Sequence, residues 1–166
     1  MRLTTLFTFL LCLGFASTAF GQQQISSASL KTLEGQGVDL AEIIKEKDLT
    51  VISFWATWCK PCQAELDAVA DLYPDWQADL DVQMVAITID TQRALSKVPG
   101  LLSTKGWEYT VLSDANNVMR NQLGFQAIPQ TYVVDSEGNV LYNHSGYTSG
   151  DEYELEEKLK ELAAGR

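Results

Sequence analysis

Histidine and cysteine are scarce in this chain: 166 residues hold one histidine, His144, and three cysteines, Cys12, Cys59 and Cys62. A four-ligand zinc site has too few candidates, because one CxxC supplies two ligands and no second CxxC exists. Covalent haem attachment needs a histidine directly after the second cysteine, and Gln63 stands there instead. Basic residues are few as well, with 12 Lys+Arg against 22 Asp+Glu and a net charge of −10. Without a Lys/Arg cluster, general electrostatic binding to nucleic acid or an anionic membrane surface is excluded. The acidity reads as a solubility feature. No internal repeat, low-complexity segment or dividing linker is present, so one domain is expected. No metal and no cofactor are expected, and His144 reads as a surface or structurally satisfied side chain.

The first residues have the layout of a secretory signal. Arg2 supplies a positive start, Leu3 to Phe20 is mostly apolar without an acidic residue, and Ala19-Phe20-Gly21 offers small residues for cleavage before Gln22. The apolar core is short for a spanning helix, and Gly14, Ser17 and Thr18 weaken it; an uncleaved membrane anchor is the alternative. Cys12 lies inside that core and does not read as a lipidation site. The expectation is therefore a signal peptide over 1–21 and one domain over 22–166 that keeps only Cys59 and Cys62. A disulfide across so few residues restricts the unfolded chain only slightly, so the pair makes more sense as chemistry than as a brace. Export would place it where disulfides matter.

Residue patterning predicts an alternation of strands and helices. A weak strand (28–33), a turn at Glu34-Gly35-Gln36-Gly37 and a short helix near 40–45 come first. Val51 to Ala56 reads as a buried strand. Cys62, Leu66, Val69, Tyr73 and Trp76 then recur on one helical face. Pro61 falls in the first turn of that helix, and Pro74 is expected to mark or bend its end. Val82 to Ile89 is another buried strand. A helical stretch over 91–104, disturbed by Pro99-Gly100, precedes a short strand over 107–112, and Asp114 could cap a helix reaching about Gln122. Gln130–Val134 and Asn139–Asn143 form an antiparallel hairpin around Asp135-Ser136-Glu137-Gly138. A final helix over 150–163 carries a stripe of Leu155, Leu159 and Leu162.

The run Trp58-Cys59-Lys60-Pro61-Cys62 stands where the first buried strand hands over to a helix. A cysteine there sits at the positive end of the helix, where unpaired N–H groups and aligned dipoles favour its thiolate. The thiolate is the nucleophile of disulfide exchange. A second thiol one turn on can attack the mixed disulfide and release product. Lys60 adds a positive charge beside Cys59, screened by its exposure.

This order of elements, with WCKPC after the first buried strand, resembles the thioredoxin fold. It is most similar to the exported branch of thioredoxin-like proteins that includes the cytochrome c maturation reductants. The similarity runs from about Leu30 to the C-terminus and rests on FWATWCKPC, Glu65 three residues after the second cysteine, GFQAIPQTYVVD from Gly124 to Asp135, a hairpin turn and Gly146. The resemblance implies an α/β thioredoxin fold: a mixed central sheet with helices on both faces and a C-terminal β-hairpin plus helix. It further implies Cys59 as nucleophile, Cys62 as resolving thiol and the Cys59–Cys62 pair as a redox disulfide. Ile128-Pro129 falls at the family's cis-proline loop, which with Trp58 would meet an extended substrate; Trp55 reads as core. Glu65 would accept the proton of the buried thiol, its alternative being a solvated acid or a lysine's partner. Two positions depart from the family. Ser53 replaces the buried aspartate of cytoplasmic thioredoxins, and Asp67 stands where a helix proline is common.

A peroxidase of the peroxiredoxin type places its cysteine in a Pro/Thr-flanked setting; Thr57 fits that pattern and the WCKPC frame does not. A copper-carrying relative would have wider cysteine spacing and a distal histidine. The expected activity is an exported, periplasmic or otherwise extracytoplasmic, thiol–disulfide oxidoreductase acting as a monomer on protein thiols and disulfides. Lys-Pro between the cysteines lacks the histidine of the family's oxidants and isomerases, which favours a reductant fed by a membrane electron donor. The alternative is a noncatalytic binding module for an extracytoplasmic partner.

Overall fold

The computed structural model describes residues 23–25 and 28–165. The expected signal peptide and its cleavage site lie outside the described residues. Thirteen elements alternate much as the patterning predicts: β1 (Ser29–Lys31), β2 (Gly37–Asp39), α1 (Leu40–Ile44), β3 (Leu49–Trp55), α2 (Lys60–Asp79), β4 (Val82–Thr88), a single 3-10 turn (Leu95–Lys97), α3 (Val98–Lys105), β5 (Thr110–Ser113), α4 (Val118–Leu123), β6 (Gln130–Asp135), β7 (Val140–Ser145) and α5 (Asp151–Ala164). The strands form one mixed sheet in the order β2-β1-β5-β4-β3-β6-β7. The architecture is the expected thioredoxin fold.

The centre of the sheet explains its most apolar runs. β3 lies parallel to β4 and antiparallel to β6, and all seven of its residues are buried. A strand covered on both faces reads as a continuous apolar run rather than an alternation. β4 pairs in parallel with β5 on its other side. The Val82–Thr88 run is therefore as buried as β3, apart from Gln83. Helix α2 packs on β3 and β4 and meets α5, which brings Leu66, Val69, Tyr73 and Trp76 onto the core with Leu155 and Leu159.

Three local expectations are corrected. Pro74 neither ends α2 nor sits at its margin; the helix continues to Asp79. Losing a bond at a helix-interior proline costs about 3 kcal/mol. Burying Tyr73 and Trp76 on either side of it returns about 1.5–3 kcal/mol for each large apolar side chain. Pro99 does not disturb a helix either, because α3 begins at Val98 and the proline occupies its first turn. The strand expected from Trp107 begins at Thr110. Trp107 instead turns its indole to Asp67, with Nε1 donating to Oδ1 at 3.0 Å.

The hairpin turn is also an anchor. Ile25 is buried, its N–H donates to the Gly138 carbonyl (2.7 Å), and Gln24 bridges to Asn139. Gly138 adopts φ 82°, and a Cβ there would stand 2.4 Å from the Ile25 carbonyl oxygen. Both the backbone sign and the backbone contact demand glycine. Gly138→Ala is expected to lower stability by about 2 kcal/mol or more, read as a lower urea midpoint at unchanged slope.

Candidate active site

The strand-to-helix junction places the two cysteines. β3 ends at Trp55, and Ile89 N–H extends the parallel pairing by donating to the Trp55 carbonyl (2.9 Å). The chain then turns through Ala56-Thr57-Trp58, closed by Cys59 N–H on the Ala56 carbonyl (3.0 Å). Cys59 is the N-cap of α2, and its sulfur accepts from Cys62 N–H at 3.2 Å. A free helix donor thus points at the sulfur, as the helix start requires. Cys59 and Cys62 are joined in a disulfide with Cα atoms 5.3 Å apart. Cys62 is fully buried and Cys59 nearly so. Lys60 and Pro61 occupy the first turn, where the proline withholds no needed N–H.

The loop before the dithiol is held by a side chain that sequence reasoning missed. Asp90 is completely buried just beyond β4. Its carboxylate accepts from Thr57 N–H (2.8 Å), Thr57 Oγ1 (2.9 Å) and Thr88 Oγ1 (2.8 Å). The signal in the sequence was an acid closing the apolar run 82–89 at the end of a buried strand. Gln63 adds a second restraint, its amide donating to the Thr57 carbonyl at 2.8 Å.

Below the dithiol, Glu65 is 5% exposed, which removes the alternative of a solvated acid. Its two oxygens accept from Ser53 Oγ (2.9 Å) and Thr131 Oγ1 (2.7 Å), hydroxyls from β3 and β6. Burial pushes the carboxyl above its ordinary value of 4.5, against the opposing pull of those two hydrogen bonds and of nearby His144. No lysine pairs with it among the described residues. Its outer side borders a small cavity shared with His144, Tyr147 and Asp151. There His144 Nε2 lies 3.2 Å from Asp151 Oδ2.

Beside the dithiol runs the loop before β6. The Ile128–Pro129 peptide bond is cis, and the Ile128 carbonyl oxygen lies 3.8 Å from Cys59 Sγ. Gly146 N–H donates to the Pro129 carbonyl (2.8 Å), tying this loop to the end of β7. Trp58 is 66% exposed while Trp55 is fully buried, edge-on to Trp107 at 5.2 Å. Trp58, Cys59, Cys62, Ile128 and Pro129 therefore share one end of the sheet, with Glu65 beneath. Asp67, on the outer side of α2, holds both Lys105 (2.5 Å) and Trp107. Among the described residues no group of acids, cysteines and histidine is disposed to hold a metal ion.

A profile of the AhpC/TSA family matches residues 22–143. The thioredoxin-like protein YneN of Bacillus subtilis is 31% identical over 137 residues, which span 82% of this chain and 77% of that protein. A thiol:disulfide interchange protein, the DsbE homolog of Paracoccus denitrificans, is 30% identical over 146 residues, or 86% of this chain and 77% of that one. Among solved structures, a thioredoxin-like protein from Porphyromonas gingivalis superposes with a TM-score of 0.74 at 39% identity, covering 84% of this chain and 92% of its own.

Two outcomes test this geometry. Asp90→Ala leaves the half-buried Thr57 N–H and hydroxyl and the buried Thr88 hydroxyl without their acceptor and is expected to cost about 3 kcal/mol, measured by urea unfolding. Glu65→Gln is expected to be more stable than the natural protein at pH 8. A carboxyl raised by folding contributes stability that is intact below 4.5 and is lost as pH rises through its folded value. The gap should therefore close as pH falls towards 4.5, and a gap that widens on acidification would contradict the burial argument.

Proposed function

The chain belongs to the AhpC/TSA family and is a thiol–disulfide oxidoreductase of thioredoxin fold, and from that premise we propose that it reduces disulfides of partner proteins outside the cytoplasm. The observation that carries the reading is the Cys59 sulfur, capping α2 beside the Ile128 carbonyl and the exposed face of Trp58.

In the reduced protein, Cys59 is the attacking thiolate, favoured by the helix start it caps. It displaces one sulfur of the partner disulfide, forming a Cys59–partner mixed disulfide and a partner thiolate. Trp58 and the Ile128-Pro129 loop hold the partner segment extended across the dithiol. Cys62 then attacks the Cys59 sulfur, and the second partner sulfur leaves. Glu65, one turn below Cys62, takes the proton that Cys62 gives up; a carboxyl raised by burial is suited to that exchange. Two electrons pass to the partner, whose two thiolates take their protons from solvent, Glu65 releases the proton it took, and the Cys59–Cys62 disulfide remains. A membrane electron donor returns it to the dithiol. The N-terminal apolar segment delivers the protein to the extracytoplasmic side, and cytochrome c maturation is the process whose reductants it resembles.

Cys62→Ala should trap mixed disulfides on Cys59, seen as adducts that a strong reductant releases. No adduct together with undiminished partner binding would point to a noncatalytic module instead. The Cys59/Cys62 potential is expected below about −150 mV, since reductants of this fold lie near −270 mV and oxidants near −120 mV; a higher value would reverse the direction assigned.

A further inference from the structure

The charges of this acidic chain are not evenly spread. Among the described residues, Lys45, Lys47, Lys105, Lys158 and Lys160 each lie within ion-pair distance of a carboxylate. Lys60, Arg93, Lys97 and Arg120 have no such partner; Lys60, Lys97 and Arg120 flank the dithiol or Trp58, and Arg93 lies on the loop that leads to Lys97. Lys60 directly follows Cys59. Lys97 lines a groove on one side of Trp58 with Leu101, and Arg120 lines a groove on the other side with Ile128. Arg93 is exposed in the loop after β4 that leads to Lys97. Lys31, the remaining unpaired cation, stands near Gln92 and Ser113 at the same end of the sheet.

The segments framing the dithiol also lack acids. Residues 56–64, 91–97, 115–134 and 144–150 contain no aspartate or glutamate. Five acids abut these segments: Glu65, Asp90 and Asp114 are buried and spend their oxygens on Ser53 and Thr131, on Thr57 and Thr88, and on the first turn of α4, while Asp135 accepts from Asn139 and Asp151 accepts from Thr148 N–H beside His144.

Helix stability does not account for this pattern. α2 has no acid in its first turn and no base in its last, carrying Lys60 at its positive end and Asp75 and Asp79 at its negative end. Each such placement runs against the macrodipole, at about 0.3–1 kcal/mol. α5, far from the dithiol in sequence, follows the favourable rule with Asp151, Glu152 and Glu154 in its first turn.

We propose that Lys60, Arg93, Lys97 and Arg120 form a basic rim around the Cys59–Cys62 site that selects partner segments bearing aspartate or glutamate beside the reacting cysteine. The proposal rests on the oxidoreductase reading and names its substrate class: an extended protein segment, acidic on the flanks of its disulfide, lying over Trp58 between the two grooves. Opposite charges there would steer encounter and fix orientation, while the net negative charge of the remaining surface turns such a partner away elsewhere.

Three synthetic peptides separate the outcomes. They share one internal disulfide and differ only in having glutamate, glutamine or lysine at two flanking positions. Reduced protein should react with the glutamate peptide about tenfold faster than with the lysine peptide at low salt. The ratio should fall towards one as ionic strength approaches about 1 M. The double variant R93E/K97E should shrink or invert the ratio. Equal rates for the charged peptides, or a ratio indifferent to salt, would overturn the rim while leaving the dithiol chemistry intact. Failure to reduce even the glutamine peptide would instead overturn the oxidoreductase reading, and the rim with it.

Discussion

The Asp90 carboxylate fixes where α2 begins, because its three hydrogen bonds tie the Thr57 turn to the end of β4. β3 and β4 run in parallel register from Leu49–Val82 to Trp55–Thr88, so their ends coincide. The chain leaving β3 must reverse into a helix within four residues, of which Ala56 and Cys59 are buried and Thr57 half-buried, so its polar groups need partners within the protein. A side-chain carboxyl with two acceptor oxygens satisfies the turn without adding bulk. Gln63 pulls the same turn from the helix side. With the turn held, the Cys59 sulfur falls on the helix axis end, and the Ile128 carbonyl comes within 3.8 Å of it. A shift of one residue in that junction would carry the sulfur away from both.

Glu65 links the dithiol to the same framework from below. Family members with a buried strand aspartate place their carboxylate on β3; here Ser53 occupies that strand position and donates to a carboxylate arriving from α2. Thr131 supplies the second donor from β6, two residues after the cis-proline. One acidic group therefore touches the strand before the dithiol, the helix that carries it and the strand after the cis-proline loop. Its protonation state is coupled to how those three elements pack.

Much of this was legible in the sequence because it depends on local pattern. The helical face from Cys62 to Trp76, the two buried strands and the hairpin turn follow from periodicity and turn chemistry alone. Local rules failed where tertiary burial outweighed them. Pro74 is a helix breaker by itself, yet the apolar residues around it keep α2 intact. Asp90 has no local sequence neighbour that reveals its role, since its partner Thr57 is 33 residues away and becomes a neighbour only through parallel pairing. Asp67 was noted for the proline it replaces; its hold on Lys105 and Trp107 needs β5 to lie beside β4. The charge pattern was hidden for a similar reason. Three segments widely separated in sequence, the start of α2, the 91–97 stretch and α4, come together at one end of the sheet, and only that turns scattered lysines and arginines into a rim.

Two electrostatic effects act at this site, and their depth separates them. The helix start acts on Cys59 through a buried N–H at contact distance, with little water between, so dissolved ions barely weaken it. The rim cations stand in solvent, and their field fades within about 10 Å at 0.1 M salt. In the thiolate attack proposed for Cys59 the negative charge spreads over three sulfurs, starting on the helix-capped one, so its stabilisation belongs mainly to the buried donor. The rim acts earlier, on the approach and alignment of a charged partner. Chemistry that tolerates salt joined to encounter that does not lets a single small surface be reactive towards disulfides in general and selective among the proteins that carry them.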